Sequence, residues 1–260
     1  SGTQITDSST LGYNLHGELT GTDGTNPTWD STEKKLGSYS LEFAGAEDFV
    51  KIPNLCMHIS GTNFSTFMWI KTALDANKYF WSVDSTNDAG TSELLFGSHN
   101  FADNLTFFDG GSATARDVAS DGLDTTINDD EWHFVGFTFN NTSKLVRLWV
   151  DGHVDGEATF HDDCEIVAGN VFTLGAQQNM MWAGARTYSD WWTGNIDELS
   201  FWDSILEEEH ILELYNNGEG MNAANGVGTC IEDYRLSLIH ISEPTRPERI
   251  GDARVFVEKK

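Results

Sequence analysis

The sequence predicts an all-β protein, a two-sheet antiparallel β-sandwich with one short helix towards its C-terminal side. Three observations carry that expectation. First, Asp129–Gly156 contains two aromatic and β-branched runs, Trp132–Phe139 and Leu145–Val150, separated by Asn140-Asn141-Thr142-Ser143 and closed by Asp151-Gly152. Such runs between Asn, Asp and Gly punctuation read as antiparallel strands joined by tight turns. Second, both faces of that hairpin are apolar, with Trp132 and Phe134 on one and Val135, Phe137 and Phe139 on the other. A hairpin apolar on both sides belongs inside a layered structure. Third, short strand-like runs recur with turn signals at intervals of about 8–12 residues, the rhythm of a sandwich.

In chain order, residues 1–36 are polar and rich in Gly and Thr, and read as loop with short strand pieces such as Leu11–Leu19. Leu41–Pro53 gives two strands around Gly45, and Phe64–Lys71 another. Tyr79–Val83, Glu93–Phe96 and Asn104–Phe108 continue the meander up to the turn Asp109-Gly110-Gly111. After the central hairpin come Val171–Gly175, a long loop from Ala176 to Asp190, and a strand over Gly194–Trp202. One helix follows. Ser204 and Glu207 form an S-x-x-E capping box, and Glu207, Glu208 and Glu209 suit the positive end of the helix dipole. Ile211, Leu214 and Tyr215 supply the apolar stripe, and Gly218 the stop.

The 260 residues suffice for a full core, and no run of about 18 apolar residues is present to span a membrane. No cleavable signal segment is recognised, so the chain reads as mature or as a fragment. The formal charge of -26 disfavours nucleic acid and anionic membranes as partners. Cys56, Cys164 and Cys230 are odd in number and lack metal-ligand spacing; one disulfide can form, with its pairing open. The domain is expected over residues 1–220, with 221–260 as linker and tail. Within the tail, residues 235–260 hold six of the 15 basic residues, and Ser237–Pro247 resembles translated sequencing-adapter sequence. The tail therefore reads as appended, non-native sequence. The rival reading makes Tyr234–Ile241 a strand of the fold.

Several segments carry a resemblance. W-H-x-V at Trp132, then V-x-L-x-V-D-G ending at Gly152, resembles the middle of a laminin-G-like, concanavalin-A-type jelly roll. Gly37–Phe43 with Ala44–Val50 is similar to that family's early paired strands, and Gly194–Trp202 to its closing G-x-I-D-E-[LV] strand. With Asp7-Ser8-Ser9 the match runs from about Asp7 to Gly218. Members usually begin with a further apolar strand before the D-S-S segment, which this sequence lacks.

The resemblance implies a calcium ion near the sheet rim, held by several loop carboxylates. Glu47, Asp48 and Asp197 match acidic positions of the family pattern, and Asp84, Asp88, Asp162 and Asp163 are alternatives. It also implies recognition of carbohydrate or of a cell-surface glycoconjugate, in an extracellular or cell-surface setting. From the residues themselves, a sugar-binding surface needs aromatic rings among polar groups. The stretch Ala176–Trp191 supplies Trp182, Tyr188 and Trp191 with Gln177, Gln178, Asn179 and Arg186. Catalysis on the same scaffold is the alternative, as a glycoside hydrolase or polysaccharide lyase. Ile196-Asp197-Glu198 does not reproduce the E-x-D-x-x-E of related hydrolases. A lyase set could draw on His99, His133, Tyr188, Arg186 and Gln177. A purely structural domain is the third class.

Overall fold

The computed structural model describes residues 4–7, 16–21, 26–45, 47–53, 55–59, 63–73, 78–84, 93–98, 104–109, 116–119, 126–159, 170–180, 186–221 and 235–240. In chain order the strands begin with β1 (Gln4–Asp7), β2 (Gly17–Gly21), β3 (Thr28–Asp30), β4 (Ser40–Ala44) and β5 (Asp48–Ile52). A one-turn helix α1 (Cys56–Ile59) precedes β6 (Phe64–Lys71), β7 (Lys78–Asp84), β8 (Glu93–Ser98), β9 (Leu105–Asp109) and β10 (Arg116–Ala119). Then come β11 (Trp132–Asn140), β12 (Leu145–Val150), β13 (His153–Thr159), β14 (Val171–Leu174), β15 (Gln177–Met180), β16 (Arg186–Ser189) and β17 (Thr193–Trp202). Helix α2 (Glu208–Tyr215) and β18 (Arg235–His240) complete the described elements.

These strands form two antiparallel sheets. The first runs β10-β9-β8-β7-β14-β5-β2, and the second β13-β12-β11-β6-β17 with β4 and then β3 beside β17. Strand β17 pairs β4 through Thr193–Ile196 and β18 through Ser200–Trp202. The change of partner falls at an irregularity between Asp197 and Ser200, where Glu198 adopts φ +49°. Strands β1 and β18 bridge the two sheets: β1 pairs β2 on one side and β18 on the other. Arg235–His240, set aside with the tail on sequence grounds, is thus a paired strand between β1 and β17.

The central hairpin forms as its pattern predicts, with Val135 opposite Val150 and Phe137 opposite Leu148. Asp151 and Gly152 both take positive φ (+50° and +81°), the geometry of the tight turn that leads into β13. Pleating then divides the apolar residues. Val135, Phe137 and Phe139 enter the core between the sheets, with Phe64, Met68 and Ile70 of β6 and Ile196 and Phe201 of β17. Val50, Ile52, Trp81, Phe96, Phe107 and Phe172 line it from the first sheet. Burying each large apolar side chain contributes on the order of 2–3 kcal/mol, so this layer dominates the stability.

The opposite face of β11 packs outward on a second cluster. Phe67, Trp69, Phe134, Trp149 and Trp202 are roofed by Leu206, Ile211 and Leu214 of the helical segment. Tyr215 stacks on Trp69 with ring centroids 5.9 Å apart. Both faces of the hairpin are covered, as the sequence required.

The helix start differs from the capping-box expectation. Helix α2 begins at Glu208 after an extended Glu207 that makes no side-chain cap, and Ser204 lies outside it. The Ser204 carbonyl instead accepts from Ser65 Oγ at 2.7 Å, and Ser65 Oγ accepts the Leu206 N–H at 3.0 Å. A buried strand hydroxyl has taken the segment that the box would have used. At the other end Asn216, in the left-handed region, is the C-cap, two residues before the expected Gly218.

Candidate functional site

The acidic residues suggested for calcium do not converge. Asp48 is buried and accepts the Ala44 N–H at 3.1 Å, closing the β4–β5 turn. Glu47 sits in that turn at φ +64°. Asp197 lies four residues further along β17 than Thr193, the residue opposite Ala44, which separates it from the turn by about 13 Å of strand. Calcium ligands must all reach within about 2.6 Å of one ion. The Asp197 carboxylate is also committed: Oδ2 accepts the N–H groups of Lys35 and Leu36, and Oδ1 that of Glu198, each at 2.9–3.0 Å. Among the described residues no group of three or more His, Cys, Asp or Glu is placed to hold a metal ion. Glu47, Asp48 and Asp197 therefore do not fit a shared calcium site. Of the alternative ligands, Asp88, Asp162 and Asp163 lie outside the described residues.

The stretch read as a long loop is instead a hairpin. Strands β15 and β16 pair with Gln177 opposite Ser189, Gln178 opposite Tyr188, Asn179 opposite Thr187 and Met180 opposite Arg186. Polar composition hid it, because its inward anchor is a hydrogen-bonded Gln. Gln178 is fully buried; its Oε1 accepts from Thr173 Oγ1 at 2.6 Å, and its N–H donates to Ser82 Oγ at 2.9 Å. The Ser82 hydroxyl in turn donates to the Ala176 carbonyl. This network pins the hairpin over the outer face of the first sheet, above β7 and β8.

At the hairpin's margin is an aromatic group. Tyr188, on the same face as Gln178, stacks on Phe49 of β5 with centroids 4.2 Å apart. Trp191 lies 5.8 Å from Phe49 and 6.1 Å from Tyr188. Phe49 is buried beneath them, while Tyr188 and Trp191 are half-exposed. The Lys51 ammonium lies 5.2 Å and 5.4 Å from the Phe49 and Tyr188 ring centroids. Beyond β5 the neighbouring strand β2 presents Glu18 and Thr20 outward, opposite Lys51 and Phe49. The result is a ledge: an aromatic wall beside a stretch of polar sheet that is exposed at Glu18 and part-exposed at Thr20 and Lys51. Trp192, next in the chain, turns inward against Phe80.

Of the sequence-based ligand residues, the fold brings Tyr188 and Trp191 together. Gln177 lies on the other face of the hairpin, beside Ser189, whose Oγ is 3.4 Å from its Oε1. Asn179 and Arg186 are placed by register only, and Trp182 lies outside the described residues. Phe49, Lys51 and Glu18 were missed. The available signal was Phe49-Val50-Lys51, where apolar groups on both faces of one strand imply an outer cover.

Within the lyase set, His133 and Tyr188 are held apart. His133 is in β11 of the second sheet, Tyr188 lies over the outer face of the first, and His99 is outside the described residues. His133 is nearly buried, with Nδ1 2.8 Å from Asp151 Oδ2 and Nε2 3.1 Å from Asp129 Oδ1. Carboxylates only accept, so an imidazolium satisfies both contacts. Burial pulls the His133 pKa down, but Asp151 and Asp129 together carry it above its ordinary value. A pKa raised by folding stabilises fully below pH 6.5 and is lost as pH rises through the raised value. Urea denaturation between pH 6.5 and 8.5 is expected to show falling stability in the wild type and a flatter profile in His133→Gln. Parallel profiles would disprove the link.

Residues 44–212 match the family described as the concanavalin A-like lectin/glucanases superfamily. Among individual proteins, "Sushi, von Willebrand factor type A, EGF and pentraxin domain-containing protein 1" of Mus musculus is 26% identical over 87 residues. That is 33% of this chain and 2% of the mouse protein. Domain 4 of AbnA, a GH43 extracellular arabinanase from Geobacillus stearothermophilus solved in complex with arabinotriose, superposes with a TM-score of 0.58. The identity is 16%, over 79% of this chain and 88% of that one. The receptor binding domain of botulinum neurotoxin mosaic serotype C/D gives 0.56 at 15% identity, over 82% of this chain and 49% of that one. At such identities the likeness is one of fold. With the family match spanning more than half of its length, this chain belongs to the concanavalin A-like lectin/glucanases superfamily.

Proposed function

We propose that the chain is a non-catalytic glycan-recognition module working in an extracellular or cell-surface setting, with the ledge beside Tyr188 and Trp191 as its binding surface. One observation supports the reading: two half-exposed aromatic rings stand together at the edge of a strand pair that presents Glu18, Thr20 and Lys51 outward. The rings offer faces for the apolar side of a sugar, and Lys51, Thr20 and Glu18 offer partners for its hydroxyls. Rigidity comes from the Gln178 network beneath, so little ordering entropy is lost on binding. Asp197 and Glu198, the nearest approach to a hydrolytic pair, are buried within β17 and turned away from open surface.

Isothermal titration with a panel of short oligosaccharides, arabinotriose included, tests this. Trp191→Ala is expected to weaken binding about tenfold, the loss of roughly 1.4 kcal/mol. Both rings cover Phe49, Tyr188 the more closely (4.2 Å against 5.8 Å), so Trp191→Ala is the milder variant, and its melting temperature is read beside its affinity to separate stability from binding. Wild-type affinity in Trp191→Ala would dismiss the ledge.

A further inference from the structure

We propose that the place between β1 and β17 is a strand-acceptor site for an extended peptide, which β18 fills from within the chain. Strand β18 lies with Leu238 opposite Ser200 and Ser237 opposite Phe201 on one side, and with Ile239 opposite Asp7 and His240 opposite Thr6 on the other. It holds three positions on β17 and two on β1, against eight in the β6–β11 ladder, so it is the more easily withdrawn. Neither neighbour depends on it. Ser200–Trp202 of β17 pair β6 on their far side, with Phe201 anchored in the main core and Trp202 in the outer cluster. Strand β1 pairs β2 through Gln4 and Ile5, positions that β18 does not use. Withdrawing β18 would leave two backbone edges facing each other across the width of one strand, with the sandwich still folded.

Two such edges are a template for strand addition. Main-chain groups on both sides supply the affinity, and alternation in the incoming segment supplies the selection. The sequence of the present occupant states the chemistry. RLSLIH, Arg235–His240, places Leu236 and Leu238 at alternate positions and contains no acid, in a chain of formal charge -26. The partner is thus an extended segment with apolar residues at every second position and neutral or basic residues between them. Because β18 is tethered through residues 222–234, it competes as an intramolecular partner, at an effective concentration on the order of millimolar. The site becomes accessible to a free peptide once the tethered strand is disabled.

The test uses the full chain carrying Leu238→Pro. A strand with partners on both sides loses a ladder hydrogen bond to proline whichever way that residue's N–H points. A fluorescein-labelled peptide of residues 234–242 is expected to bind this variant saturably in fluorescence anisotropy. It should bind the wild type at least tenfold more weakly, because β18 competes there. The same peptide carrying its own Leu238→Pro should bind neither chain. No binding to the variant, or equal binding by the proline peptide, would overturn the acceptor site. Native-state hydrogen exchange on the wild type checks the premise without a substitution: the amides of Arg235–His240 should exchange at least tenfold faster than those of Phe67 and Gly136. A Leu238→Pro chain that fails to fold, or β18 amides that exchange only with global unfolding, would make β18 an integral strand and end the proposal.

Discussion

Gly136→Ala is expected to lower stability by about 3 kcal/mol, at the upper end of the cost of overpacking a core. Gly136 sits in the middle of β11, opposite Phe67 on one side and Trp149 on the other. A Cβ there would lie 2.2 Å from Phe67 Cδ1 and 2.3 Å from the Thr66 carbonyl oxygen. The ring could rotate away, but the carbonyl belongs to the β6–β11 ladder and can retreat only by parting the two strands. Those strands carry Phe137 and Met68 into the main core and Phe134 and Phe67 into the outer cluster. A separation is therefore felt on both faces. Gly218→Ala separates this from a general cost of losing glycine. Gly218 has φ +87°, yet its nearest neighbour is the Tyr215 hydroxyl at 3.5 Å, leaving left-handed strain of about 1 kcal/mol. Urea midpoints with unchanged m-values measure both. A Gly136→Ala loss no larger than that of Gly218→Ala would mean that β6 and β11 are not so closely apposed.

The same hairpin shows what sequence could and could not reveal. Its aromatic residues alternate so regularly that pairing and double coverage were both legible from Trp132–Val150, while the register came only with the structure. The strand that follows, His153–Thr159, was not, because an edge strand with exposed Val154, an interior Gly156 and acidic neighbours carries no apolar period. Hairpin β15–β16 was hidden for the opposite reason: its inward residue is a buried Gln whose partners, Ser82 and Thr173, come from other strands. Composition alone marks Gln178 as a loop residue. Tyr188 and Trp191 were legible as candidates because rings outside strong strand patterns stand out. Glu18 and Lys51 were not, since their meeting depends on a pairing across more than 30 residues of chain. The Ser204 box failed for a comparable reason, a local signal overridden by Ser65 from a distant strand.

Asp197→Ala should cost about 3 kcal/mol or more, because it removes the acceptor of three backbone N–H groups at once, each worth about 1–3 kcal/mol when left buried without a partner. The loss would propagate. Two of the donors, Lys35 and Leu36, fix a loop whose side chains extend to the helical face. Lys35 Nζ lies 4.1 Å from the Trp69 ring centroid and donates to the Gly218 carbonyl. Glu33, two residues earlier, pairs with Lys71 at 2.8 Å. Releasing the loop should change the Trp69 environment, seen in near-UV circular dichroism, before global unfolding.

A pH dependence distinguishes this role from simple packing. Burial pushes the Asp197 carboxyl up to about 7, against the Leu36 N–H that favours its charged form, with the Glu198 charge raising it further and the Lys35 and Glu198 N–H groups opposing. The folded-state pKa is above the ordinary 3.8, so the native state holds this proton more tightly than the unfolded chain does. Its contribution is complete below pH 3.8 and is lost as pH rises towards 7. Asp197→Asn cannot titrate. It keeps one oxygen for Lys35 and Leu36 but turns an amide N–H towards that of Glu198, so it should be less stable than wild type and flat over pH 4–7. If Asp197→Asn instead tracked the wild-type slope, the titrating group in this window would lie elsewhere. A stable, pH-independent Asp197→Ala would show that the Lys35–Leu36 loop is held by other contacts.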